Sequence, residues 1–189
     1  PGGIEISILS DRTGTIRAGM ADRYGLPADA AIVAGTTDGC AAFLASGASS
    51  PGDGVTSLGT TLTLKLLSAT PVFAPQFGIY SHRIGDQWLA GGASNTGGAA
   101  IAKYFSRDEI ARLTPLIDPD HPTGLDYYPL ASPGERFPVN DPAFAPRLSP
   151  RPADDRVFFQ AILEGIAAIE AKAYGRLAEL GASRLASIR

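Results

Sequence analysis

Between residues 154 and 180, apolar side chains recur at three- and four-residue steps: Phe158, Ile162, Ile166, Ile169, Ala173, Leu177 and Leu180. That period predicts an amphipathic helix with one deeply buried face. Asp154 and Asp155 favour its start through the helix dipole, and Gly181 ends it. A second, short helix is expected over residues 17–24, stopped by Gly25-Leu26-Pro27. Upstream of the long helix the pattern changes to brief apolar runs. Residues 31–34 read as a buried strand, followed by a small-residue helix over residues 39–46. Pro51-Gly52-Asp53-Gly54 is a turn signal. Residues 55–58 and 62–67 then form two strands of a hairpin closed by Gly59-Thr60-Thr61.

Residues 79–83 and 88–90 read as another hairpin around Gly85-Asp86, and residues 91–98 as a loop opening a helix over residues 99–105. Residues 108–116 are expected to be helical. From 118 to 154 the chain is rich in Pro, and only residues 126–130 look strand-like. This stretch is expected to be an ordered excursion over the surface, in the position of an active-site flap. Strands followed by helices give an α/β or α+β class.

Composition bounds the chemistry more than it directs it. With 189 residues, 44% hydrophobic and 19% charged, the chain is long enough for one domain with a substantial core. Sixteen Lys and Arg against nineteen Asp and Glu leave a net charge of −3, which gives no general attraction to nucleic acid or an anionic membrane. Any bound phosphate must be held locally. The single Cys40 cannot form an internal disulfide, and His82 and His121 lie too far apart in sequence to make a zinc set with it. No apolar run approaches the roughly 20 residues of a membrane span, and no signal-peptide pattern opens the chain. A soluble, cytoplasmic protein is expected. The chain starts at Pro1 and stops just after a helical stretch, as though a following strand were cut off, and so reads as a fragment.

Three places could carry chemistry. Asp38 directly follows the strand at 31–34, so its carboxylate should emerge at a strand end, where ligand crevices form in open α/β sheets. Such an Asp can take the proton of an attacking hydroxyl and aim its oxygen at a γ-phosphorus; from spacing alone the reading as a helix cap or turn residue comes first. Gly59, Thr60 and Thr61 can offer amides and hydroxyls to an anion without a lysine, or be a plain turn. Gly97 and Gly98 open a helix, suiting either phosphate or close helix–strand packing. No GxxxxGK[ST] loop is present, which disfavours a P-loop enzyme.

The order DAAIVAGTTDGCAAFLASGA, PGDGVTSLGTTLTLKLLS, WLAGGASNTGGA, GLDYYPLASPGERFPVNDPAFAPRLSPRP and then a long helix closely resembles the FGGY carbohydrate kinases. GTTDG, SLGTTLTLK, YSHRIGDQWLAGGASNTGG and FFQAILEGIAAIEAKAY look most like the D-ribulose kinase branch, sometimes labelled xylulose kinase-like. The resemblance runs from about Gly25 to the end. It implies an incomplete actin-like ATPase (ribonuclease H-like) domain, a mixed sheet with flanking helices. Residues 1–30 would end the N-terminal domain and hinge, and 31–189 would begin the C-terminal domain.

The same resemblance implies Mg²⁺ and ATP as cofactors and a ketopentose as partner, with a homodimer compatible. Asp38 matches the catalytic base, and Asp38 with Thr37 the sugar contacts. Thr60, with Gly59 and Thr61, matches the hairpin at the β- and γ-phosphates, and Gly98, with Gly97, the glycines at the helix start. Many relatives have Gln after the Asp where this chain has Gly39, which bears on a secondary sugar or water contact. The Mg²⁺-associated acidic residues, most sugar contacts and the adenosine-binding motif would lie outside this chain. No metal ligand is expected within it, and the chain alone should be inactive. D-ribulose is the expected acceptor, with D-xylulose as the near alternative and a non-catalytic nucleotide- or sugar-binding module as the distant one.

The remaining polar candidates take ordinary readings. Cys40 and Trp88 should pack, His82 should be a surface hairpin residue, and Lys65 and Lys103 solvated surface lysines. Arg147 and Arg151 sit in the Pro-rich excursion with no assigned role.

Overall fold

In the computed structural model, which describes residues 11–189, alternation along β4 (Leu62–Ser68) decides the layering. Leu62, Leu64 and Leu66 are almost fully buried in one core, whereas Lys65 and Leu67 turn to the opposite face of the sheet. Each buried leucine contributes about 1.5–3 kcal/mol of burial. β4 pairs antiparallel with β3 (Asp53–Leu58) and with β6 (Gln87–Ser94), and β6 pairs antiparallel with β5 (Tyr80–Ile84). β7 (Ser187–Ile188) adds parallel to β3, giving a mixed sheet in the order β5-β6-β4-β3-β7. The chain therefore does enter a strand after the long helix.

That helix, α5 (Asp155–Glu179), covers the first face. Asp154 caps it by accepting from the Arg156 amide at 2.8 Å, and the expected stripe from Phe158 to Leu177 is buried. Phe159, Ala161 and Tyr174 are buried as well, so the covered face is wider than the seven-residue stripe predicted. The other face carries α2 (Asp38–Ala45), whose Cys40 and Phe43 pack with Ala48, Leu67 and Leu89. Cys40 thus behaves as the small hydrophobe expected of it.

The remaining helices are α1 (Ala18–Tyr24), α3 (Gly98–Ala102) and α4 (Arg107–Leu113), the last opened by a capping box between Ser106 and Glu109 and followed by a 3-10 turn at Thr114–Leu116. β1 (Arg12–Thr15) and β2 (Ala31–Val33) form a separate antiparallel ribbon. β2 was expected to be buried, yet all three of its residues are exposed, Ile32 by 50% and Val33 by 56%. Among the described residues it pairs only with β1. The first ten residues of the expected 1–30 hinge segment lie outside the described residues.

Two further expectations are corrected. Residues 91–94 are not loop: β6 continues through Gly91 and Gly92 to Ser94. A Cβ at Gly91 would fall 2.0 Å from the Leu64 carbonyl oxygen, and one at Gly92 would fall 2.8 Å from the Phe137 ring. The glycines are there because neighbours crowd a central strand, not because the chain turns. The Pro-rich stretch, in turn, does more than run over the surface. It buries Tyr127, Tyr128, Leu130, Glu135 and Phe137, with Leu130 and Phe137 at 0% exposure. Prolines remove ladder donors, so the segment is held by inserted side chains and the small bridges Tyr128↔Arg147 and Glu135↔Asp141.

Candidate functional site

The site begins where β2 hands over to α2. Thr37 is the N-cap in extended conformation and makes no side-chain cap bond, so Asp38 is the first helical residue rather than the cap. One Asp38 oxygen, Oδ1, accepts from the Gly39 amide at 2.8 Å, and the side chain is solvent-exposed. Thr37 rather than Asp38 holds the N-cap position, while the Asp38 carboxylate takes one first-turn amide of α2. Burial of Cys40 and Phe43, one turn on, fixes the helix against the sheet and with it the place of this carboxylate.

Beneath the first turn of α2 lies a cleft of about 70 Å³ lined by Gly39, Ala42, Phe43, Val55, Ser57, Thr63 and Lys65. Ser57 pairs with Thr63, one ladder step before Leu58 pairs with Leu62 and the chain turns through Gly59-Thr60-Thr61. The neighbour of Asp38 and the base of the hairpin thus line one cleft. Thr60 is exposed, and the amides and hydroxyls of Thr60 and Thr61 make no hydrogen bond to other described residues. They remain as donors for an anion.

Gly97 and Gly98 reach the same hairpin from the other side. The amides of Gly98 and Ala99 donate to the carbonyls of Gly59 and Thr60 at 2.8 and 3.1 Å. Leu62 donates to the Thr96 carbonyl at 2.7 Å. Gly97 has φ 136° and ψ −156°, and a Cβ there would meet Thr61 backbone at 2.8 Å; a Cβ at Gly98 would lie 2.8 Å from the Gly59 oxygen. The amides of Gly98 and Ala99 are therefore spent on fixing the hairpin, while those of Thr60 and Thr61 stay open. This five-residue α3 is shorter than the helix expected over 99–105.

Lys65 is not the solvated lysine expected. It is half-buried, its ammonium sits 4.7 Å from the Tyr80 ring centroid, and burial lowers its pKa. His82 packs edge-on against Tyr80 at 5.1 Å; burial, then the Lys65 charge, lowers its pKa as well. No carboxylate among the described residues pairs with Lys65. A lysine's default reading hid this; only its alternation with Leu64 and Leu66 pointed to the α2 face.

The other candidates have structural partners. Lys103 donates to the Ala131 carbonyl at 2.9 Å, Arg147 pairs with Asp126 at 2.7 Å, and Arg151 pairs with Asp155 at 2.6 Å. Trp88 packs under Arg83 and against Phe73. A larger groove of about 600 Å³ runs between α5 and residues 184–188, with Tyr174 in its wall, but neither Asp38 nor the hairpin borders it. Among the described residues no three His, Cys, Asp or Glu side chains gather as for a metal, and no helix is long and apolar enough to cross a membrane.

No family model matches the chain. Solved structures do. The chain aligns with a xyloylose kinase from Brucella ovis at TM-score 0.74 and 22% identity, over 97% of this chain and 40% of that one. It aligns with a ligand-bound xylulose kinase from Lactobacillus acidophilus at TM-score 0.75 and 18% identity, over 97% and 39%. A gluconate kinase from the same organism gives TM-score 0.75 and 16% identity, over 97% and 40%. The chain spans about two fifths of the length of these proteins, and its fold is the part of the actin-like ATPase fold that they share.

Proposed function

We propose that residues 31–189 are the start of the C-terminal domain, and residues 1–30 the end of the N-terminal domain and hinge, of an ATP-dependent sugar kinase. The reaction proposed transfers the γ-phosphate of Mg·ATP to a primary hydroxyl of a ketopentose, D-ribulose giving D-ribulose 5-phosphate. One observation carries the reading: Gly39, next to the exposed Asp38 carboxylate, and Ser57 and Thr63, at the base of the hairpin whose threonine donors are unpartnered among the described residues, line one cleft. Separately, the amides of Gly98 and Ala99 hold the hairpin loop through the Gly59 and Thr60 carbonyls.

In this reading Asp38 accepts the proton of the sugar hydroxyl and Thr37 helps to orient the sugar. The hydroxyl oxygen bonds to the γ-phosphorus, the bond from that phosphorus to the β-γ bridging oxygen breaks, and ADP leaves. Thr60 and Thr61 donate to the β- and γ-phosphates, while Gly59, Gly97 and Gly98 let backbone segments approach closely enough to hold that loop. Mg²⁺ would screen the phosphate charge when bound. The open carboxylate favours this over a binding-only module, which has no chemical use for a base there.

D-xylulose stays as a second acceptor because xylulose kinases are among the structural neighbours. The test is ADP release by the complete gene product with D-ribulose, D-xylulose, L-ribulose and glycerol. Preference for D-ribulose is expected. A preference for D-xylulose would change only the acceptor, and equal background rates with all four would end the kinase reading.

A further inference from the structure

Glu135 lies in the Pro-rich segment, far in sequence from every residue named above as part of the site, yet it is only 2% exposed. Its Oε2 accepts from the Ser94 hydroxyl at 2.7 Å and the Tyr128 hydroxyl at 2.8 Å. Its Oε1 accepts from the amides of Asn95 at 2.7 Å and Arg136 at 2.8 Å. No Lys, Arg or His among the described residues pairs with it; the guanidinium of Arg136 donates instead to Asn95 Oδ1 at 2.6 Å. A buried carboxylate satisfied wholly by neutral donors is costly to place. It calls for a role that packing alone would not need.

The donors lead to one place. Ser94 ends β6 and Asn95 follows it, and Ser94 Oγ also accepts from the Thr96 amide at 3.1 Å. Thr96 is fully buried, its hydroxyl donates to the Pro129 carbonyl at 2.6 Å, and its own carbonyl receives the Leu62 amide. Leu62 directly follows the hairpin loop, and Gly97 and Gly98 directly follow Thr96. From Glu135, hydrogen bonds run through Ser94 and Thr96 to both Gly-rich strand ends at once.

We infer that Glu135 is a positioning residue for the phosphate grip, holding the β3–β4 hairpin and the start of α3 at the spacing that leaves Thr60 and Thr61 open to a nucleotide. This deepens the proposed function and rests on its assignment of that hairpin to ATP. Glu135 itself touches no substrate in this arrangement, since its oxygens are occupied by Ser94, Tyr128, Asn95 and Arg136.

The complete gene product is assayed in two ways: ADP binding by calorimetry, and steady-state kinetics varying ATP and sugar separately. Glu135→Ala is expected to weaken ADP binding and raise KM for ATP tenfold or more, with KM for the sugar within twofold of the parent. Glu135→Gln should recover most of this, because its oxygen still accepts from Asn95 and Arg136 and its amide can donate to the reoriented hydroxyls of Ser94 and Tyr128. If Glu135→Ala does not fold, Ser94→Ala removes the side-chain relay from Glu135 to the Thr96 amide and should weaken ADP binding at least threefold. Unchanged ADP affinity in either variant, or equal loss toward ATP and sugar, overturns the inference. A parent that binds ADP but transfers to no sugar defeats the kinase reading while the ADP titrations still decide Glu135; a parent that binds no ADP defeats both.

Discussion

The Gly98 amide donates to the Gly59 carbonyl at 2.8 Å, joining two glycine-rich segments 39 positions apart in the chain. Either segment alone reads as a turn. Their contact makes the hairpin a fixed object, and it explains why Gly97 beside it has no room for a side chain. Gly97→Ala would hold a non-glycine residue at φ 136° against Thr61. It should cost about 1–3 kcal/mol of stability and weaken ADP binding, read by denaturant unfolding and by calorimetry.

Asp38→Asn keeps the shape of the side chain and removes its capacity to take a proton. Turnover should fall by about two or more orders of magnitude with ADP affinity within about twofold. Rapid-quench or coupled ADP assays on the complete protein measure the first, and calorimetry the second.

Lys65 offers a test in which stability and binding separate. Replacing a half-buried ammonium that has no carboxylate partner removes a desolvation cost while losing a cation–π contact with Tyr80 worth about 0.5–1 kcal/mol. Lys65→Met should therefore stay within about 1 kcal/mol of the parent in unfolding, yet bind ADP more weakly because a cation facing the cleft is gone.

Acid should loosen the C-terminal strand first. The Ser187 hydroxyl and then the amides of Ser49 and Ser50 hold the Asp53 carboxyl well below its ordinary value of 3.8. A carboxyl depressed in the folded state contributes stability that is present above that ordinary value and lost as pH falls through and below about 4. Urea midpoints measured from pH 6 to pH 3 should fall, and Asp53→Asn should flatten that part of the curve.

Phe137 tests whether the Pro-rich segment belongs to the core. With its ring fully buried against Gly92, Phe137→Ala should destabilise by about 3–5 kcal/mol. A loss below 1 kcal/mol, by equilibrium unfolding, would return the segment to the surface.

Periodicity made α5 and both hairpins legible, because repeats of 3.6 and 2 residues survive without knowledge of neighbours. The threonines of the β3–β4 loop and Asp38 at a helix start were legible for the same local reason. Gly91 and Gly92 misled because a glycine crowded by Leu64 and Phe137 looks, in sequence, like a glycine in a turn. Exposure of β2 depends on what does not cover it, which no local pattern records. Glu135 was invisible because three of its donors, Ser94, Asn95 and Tyr128, stand 41, 40 and 7 positions away and only the fold assembles them.

The central claim is that Asp38 and the Thr60–Thr61 hairpin belong to one phosphoryl-transfer site. The most direct measurement compares sugar-dependent ADP release by the complete gene product and by its Asp38→Asn variant, with and without D-ribulose. The account predicts release that requires the pentulose and collapses in the variant while ADP still binds. Release that ignores the sugar, or an Asp38→Asn enzyme that turns over like the parent, would contradict it.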